Sequence, residues 1–172
     1  MSKAGIFKYY KNKQELFIAV VDKFWFSTQN PRNKFTETNG TFAEFIDEYV
    51  RGVQRTMDML GDLIGAEREK VAQGKFTYHA QYFHFLFQLL QYDPDAKEKL
   101  RNLVEVDYAY WRAAIQRAIA TGELREDVDV EDAVVMFRQV YMGLSFEMAF
   151  MGGLNTQRLA KHLHAVYSLL KR

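Results

Sequence analysis

Apolar residues recur at helical spacing along nearly the whole chain, and strand-like alternation never persists beyond a few residues. The cleanest stripe is Phe42, Phe45, Ile46, Tyr49, Val50, Val53, Met57 and Leu60, at the i, i+3, i+4, i+7 spacing of one helix face. Thr41 with Glu44 three residues on forms a capping box at its start, and Gly61 and Gly65 predict a break before a short helix to about Gln73. Asn12 with Glu15 repeats the capping pattern ahead of a helix with Leu16, Val20 and Phe24 on one face and Phe17 and Val21 beside them. The loop NPRNKFTETNG ends that helix.

Gly74 introduces an aromatic helix over 75–92. Asp93-Pro94 is a strong start signal for a long helix or helix pair reaching Thr121, with Leu100, Leu103, Val104, Tyr108, Trp111, Ile115 and Ile119 as its stripe and Gly122 as its stop. Asp129 with Asp132 opens the next helix, striped by Val134, Phe137, Tyr141, Leu144 and Met148 and stopped by Gly152-Gly153. Thr156 opens the last, carrying Leu159, Leu163, Val166 and Leu170. The fold class expected is all-α, with roughly eight helices and no repeat.

Composition supports one soluble domain of 172 residues: 48% hydrophobic, 26% charged, 15% aromatic, and only two prolines to interrupt helices. The net charge of +1 predicts no nucleic-acid or membrane partner from global electrostatics, so any such partner needs a local patch. The absence of cysteine excludes disulfides and thiolate metal sites. The longest uncharged run, 76–92, is punctuated by His79, Gln81, His84, Gln88 and Gln91 and reads as soluble core rather than a membrane span.

The exception to the charge balance is the amino-terminal SKAGIFKYYKNKQELF, where four lysines and no acid fall within the first thirteen residues. A short helix over Ser2–Tyr9, a three-residue break and a capped helix form a specific arrangement. Its residues Ser2, Lys3, Gly5, Ile6, Phe7, Tyr9, Tyr10, Lys11, Asn12, Lys13, Glu15 and Leu16 resemble the end of the helix-turn-helix in TetR-family transcriptional regulators. A weaker echo lies in ATGELREDVDVEDA, which is similar to a segment between the last long helices of many members.

The resemblance implies a DNA-binding remnant at 1–13, a connector helix at 14–30 and a ligand-binding and dimerisation domain at 31–172. It implies DNA contacts from Ser2, Lys3, Ala4, Phe7, Lys8, Tyr9 and Lys13. Lysines near phosphates gain affinity by counterion release, and a recognition helix offers its first residues to base edges. Phe7 departs from the family's usual tyrosine and lacks its hydroxyl. Only the third helix of the family's DNA-binding unit is present in this sequence, so operator DNA is expected as a partner only with the two helices that precede it. A solvated basic helix end on an unrelated helical protein is the plain alternative.

For the remainder, the resemblance implies a small-molecule pocket, a homodimer and a cytoplasmic repressing regulator without cofactor. The aromatic helix reads first as buried core and second as the wall of a cavity for a small apolar or aromatic ligand. Candidate pocket residues are Tyr49, Val53, Met57, His79, Phe83, Phe87, Tyr108, Trp111 and Tyr141. Candidate dimer residues are Tyr110, Ile115, Phe137, Leu144, Met148 and Met151, on helices that also need internal packing. Glu147, alone in an apolar stretch, is expected to face solvent.

No enzyme is expected. A di-iron bundle needs Glu-x-x-His pairs, and none of the four histidines has one. His162 and His164 are two apart and do not share a helix face. No H-E-x-x-H, phosphate loop or G-x-S-x-G occurs. The non-enzymatic alternative is a helical ligand carrier, or a dimerising partner that does not itself bind DNA.

Overall fold

Asn12 begins the first described helix by accepting the Glu15 N–H on its side chain at 2.8 Å, while the Glu15 carboxylate accepts the Lys11 N–H. In this computed structural model residues 9–35, 40–64 and 78–172 are described, without the side chains of 61–64 and 78–81. The expected recognition helix, with Ser2, Lys3, Ala4, Phe7 and Lys8, therefore lies outside the described residues, as does the segment 65–77 with its short helix.

Six helical runs make up the described architecture. Helix α1 covers 13–28 as an α-helical Lys13–Val20, a π-helical Val21–Trp25 and an α-helical Phe26–Thr28. The others are α2 Phe42–Ile64, α3 Tyr78–Tyr92, α4 Ala96–Ala120, α5 Val130–Ala149 and α6 Thr156–Leu170. A 3₁₀ turn at Pro31–Asn33, capped by Asn30, links α1 to the segment carrying Lys34 and Phe35. Among the described residues there is no sheet, only an isolated bridge between Leu124 and Lys171.

Most of the capping signals work as the sequence indicates, but the Asp93-Pro94 signal falls two residues early, since α4 begins at Ala96 after Asp95, and Asp93 instead accepts the Asp95 N–H. Thr41 and Glu44 bond reciprocally at the start of α2, Asp129 accepts the Asp132 N–H, and Gly122 takes a φ of 75° after α4. Asn155, rather than Thr156, caps α6 by accepting the Arg158 N–H. Helix α2 does not break at Gly61 but continues to Ile64, since a single glycine costs a helix only about 1 kcal/mol.

Two further expectations change. In α1 the buried row is Val21 and Trp25, with Phe17 packed beside them, whereas Val20 and Phe24 are about two-fifths exposed. Two parallel apolar rows are equally apolar in sequence, and the wider turn of the π segment, where Phe26 N–H donates to Val21 O, keeps Val21 and Trp25 in line. Helix α3 is not buried all round. It packs on α1 through Phe17–Phe85 and Trp25–Tyr82 and on α5 through Phe83–Phe146, which leaves Phe87, Leu90 and Tyr92 outward.

Two apolar clusters result. The larger joins α2, α4, α5 and α6 around Trp111, which is fully buried and stacked on Phe137 at 4.9 Å. The smaller joins α1, α3 and the start of α4 around Val21, Trp25, Leu89 and Ala96. Lys99 ties the smaller cluster together by pairing with Asp22 on α1 and Asp93 before α4, at 2.7 and 2.9 Å.

Candidate functional site

Between the two apolar clusters lies a cavity of about 150 Å³ with a mostly apolar wall and a few charged side chains. Helix α1 and the turn after it contribute Trp25, Gln29, Pro31 and Lys34, and α3 contributes Tyr82 and Leu86. Helix α4 adds Leu100, Leu103, Val104 and Asp107, and α5 adds Arg138, Tyr141 and Met142. A narrow inner extension of about 20 Å³ shares Gln29, Tyr82, Tyr141 and Met142 and reaches Thr56, Met57, Leu60, Phe83 and Ser145.

The cavity holds three charged side chains. Arg138 Nε donates to Asp107 Oδ2 at 3.2 Å, and its guanidinium lies over the Tyr108 ring at 5.4 Å. Lys34 is 7% exposed, and its ammonium lies 4.9 Å from the centre of the Tyr141 ring. No described carboxylate is within ion-pairing distance of Lys34. Burial acts to lower the Lys34 pKa, but Tyr141, Asp107 and Tyr82 more than offset it, so the pKa lies above the ordinary lysine value. Burial pushes the Asp107 carboxyl up against the opposing pull of Lys34 and Arg138. Burial likewise raises the Tyr82 phenol to about 12 and holds Tyr49 well above its usual range.

Buried polar atoms without a hydrogen-bond partner concentrate here. Trp25 Nε1, Asp107 Oδ1 and Ser145 Oγ all belong to lining residues, and Tyr49 Oη belongs to a ring 5.9 Å from Tyr141. An unmatched buried polar atom costs about 1–3 kcal/mol, so such a cluster marks a place where a polar partner adds stability. Among the described residues no group of three or more His, Asp or Glu is arranged to hold a metal ion.

The sequence-derived pocket residues separate into three groups. Met57, Phe83 and Tyr141 line the cavities. Tyr49, Val53 and Trp111 are core residues, and Tyr108 packs at its edge under Arg138. Phe87 is 61% exposed on the outer face of α3, while the side chain of His79 lies outside the described residues. Sequence reasoning did not single out Lys34, Tyr82, Asp107 or Arg138. The signal for Asp107 was present, because it interrupts the α4 stripe between Val104 and Trp111.

The dimer candidates divide similarly. Ile115, Phe137 and Leu144 are spent on the internal core, and Tyr110 stacks on Phe35 at 4.6 Å. Met148 is half-buried, Glu147 is exposed as expected, and Met151 is 73% exposed beyond the end of α5. The exposed apolar row of α5 is instead Val135, Met136 and Phe146, continued by Phe150. Gly143 lies in it, with nothing within 4 Å of where its Cβ would stand.

At the other end of α1, Lys13 is exposed at the Asn12-capped helix start, and Tyr9, in the turn four residues before it, is 79% exposed. A hydroxyl, an ammonium and free helix N–H groups are the donors that phosphates accept. No helix of the described residues is long and apolar enough to cross a membrane.

Residues 53–163 match the family model described as the tetracycline repressor-like C-terminal domain. No curated protein and no solved structure matches the chain.

Proposed function

The chain belongs to the family of tetracycline repressor-like C-terminal domains, and from that membership we propose that it is the effector-binding and dimerising part of a TetR-type DNA-binding regulator. One observation carries the reading. Helix α1 reaches from the exposed Lys13 at one end, with Tyr9 four residues ahead of it, to Trp25 in the cavity wall near the other, with Gln29 just beyond. The run spans about 24 Å at 1.5 Å per residue. Anything that displaces Trp25 or Gln29 is felt at the basic end.

The π segment Val21–Trp25 lies between those ends, and such segments accompany functional bends in helices. A ligand in the cavity shifts the position of α1 by the difference in its affinity for the two arrangements, and no further. In a dimer, the position of each α1 sets the spacing of two recognition elements along a duplex. The exposed α5 row around Gly143 supplies an apolar face for that dimer. Repression is the sign of regulation we assign, with an effector that lowers DNA affinity.

The test is selection of DNA from a random pool by a form carrying the whole helix-turn-helix unit. An inverted-repeat site is expected, bound less tightly as salt rises, with further loss on neutralising Lys3 and Lys13. A dimeric form that enriches no sequence, or whose binding ignores both lysines, overturns the reading in favour of a ligand carrier that does not bind DNA.

A further inference from the structure

Among the described residues, the cavity carries more positive charge than negative. Lys34 and Arg138 face a single carboxylate, Asp107. If Asp107 is ionised the cluster keeps one excess positive charge, and if it is protonated the excess is two. Hydrogen-bond donors are in surplus as well. Arg138 commits Nε to Asp107, and the described residues offer no acceptor to its other N–H groups. An ammonium adds three donors, and a guanidinium has five in all. The site already favours the Lys34 ammonium, and an opposite charge that also accepts hydrogen bonds is the partner that uses the surplus donors.

The walls limit what can supply that charge. Away from the charged side chains the cavity is lined by Leu86, Leu100, Leu103 and Val104. An apolar cavity of about 150 Å³ is the size that takes benzene, and drug-sized ligands need roughly 300 Å³ or more. A fully hydrated inorganic anion gains nothing from the leucines, and a bare hydrocarbon brings no acceptor for the donors of Lys34 and Arg138.

We propose that the effector is a small organic carboxylate, of single-ring or short-chain size, with its carboxylate between Lys34 and Arg138 and its apolar body against Leu86 and Leu103. This rests on the reading that the cavity is the effector site. The Tyr82 hydroxyl is a further donor on the same wall, and the Tyr141 ring holds the Lys34 ammonium in place.

The test uses the 172-residue protein with three probes of one shape: benzoate, benzyl alcohol and benzylammonium. Binding is read by calorimetry and by the thermal midpoint, each on the parent and on Lys34→Met and Leu103→Trp variants. Benzoate is expected to bind about tenfold or more tighter than the other two, from charge-assisted hydrogen bonds. Lys34→Met should erase that preference while keeping the benzyl alcohol affinity, which also shows that the variant is folded. Leu103→Trp should block every probe. Equal affinity for benzoate and benzyl alcohol, or a preference for benzylammonium through Asp107 Oδ1, overturns the carboxylate assignment but leaves the cavity reading standing. Binding that ignores Leu103→Trp, or no binding of any probe, overturns the cavity reading itself.

Discussion

Gly52 on α2 lies directly against the backbone of Lys34, so close that a Cβ at position 52 would collide with the Lys34 carbonyl oxygen. Lys34, one of the three charged residues of the cavity, is therefore held by a close approach that only glycine permits. The neighbour is backbone rather than a flexible side-chain end, so it has little room to yield.

This reverses the usual effect of a glycine in a helix. Gly→Ala in a helix interior ordinarily stabilises by about 1 kcal/mol. Gly52→Ala should instead destabilise by about 1–3 kcal/mol, the cost of overpacking, and should weaken benzoate binding along with it. A urea melt combined with calorimetry checks both. A stabilised variant with unchanged binding would mean that the Lys34 segment is free to shift.

The Asp107–Arg138 pair should respond asymmetrically, because both side chains are largely buried, at 7% and 15% exposure. Arg138→Met leaves Asp107 with Lys34 as the remaining nearby cation, and a loss of about 3 kcal/mol is expected. Asp107→Asn keeps an acceptor and removes a buried charge, so its cost should be smaller.

The pH dependence of that difference has a defined sign. The folded-state pKa of Asp107 is raised above its ordinary value of 3.8. In the window just above 3.8 the folded protein holds more protons on this group than the unfolded chain does. Stability from this group therefore falls as pH rises through the window. Relative to Asp107→Asn, the parent should gain stability as pH is lowered from neutral towards 4, measured by chemical denaturation at each pH.

Glu123 offers an independent test of the fold away from the cavity. Its carboxylate accepts the Phe42 and Ala43 N–H groups at the start of α2, and also the Tyr167 hydroxyl at 2.8 Å. Burial and that bond push the Tyr167 pKa up to about 12. Glu123→Gln should bring the phenol down towards 10 in an ultraviolet absorbance titration and cost about 1 kcal/mol in capping. The parent should lose stability as pH rises from 10 to 12, where the unfolded phenol ionises and the folded one does not.

These residues also show what sequence could and could not reveal. Helix starts were legible at Asn12, Thr41 and Asp129, because a cap is a local bargain between a side chain and backbone N–H groups two or three residues on. The buried row of α1 was not, since Val20 and Val21 are equally apolar and the choice between them is made by α3 and α4. Lys34 is farther still from any local rule. It follows a turn whose own signals end at Asn30 and Pro31, and its burial depends on Gly52 and Tyr141, which are distant in sequence. The periodicity argument also weighted aromatics as pocket lining, although Trp111 and Phe137 serve mainly to fill the core by stacking on each other.

Gly143 gives the sharpest test of the dimer face. A side chain added there meets no atom of its own chain within 4 Å, and Val135, Met136 and Phe146 are exposed around it. For the isolated chain Gly143→Arg should stabilise α5 by about 0.5–1 kcal/mol, since arginine is a far better helix former. For a dimer closed across this face by a twofold axis, the same change places two bulky cations opposite each other where the helices approach most closely. Gly143→Arg should therefore sediment as a monomer at micromolar concentration while keeping full helicity. It should also remain able to bind benzoate, because the cavity is built from one chain. A variant that is stabilised and still dimeric would place the interface elsewhere. A variant that loses both helicity and dimer would mean that α5 depends on its partner to fold.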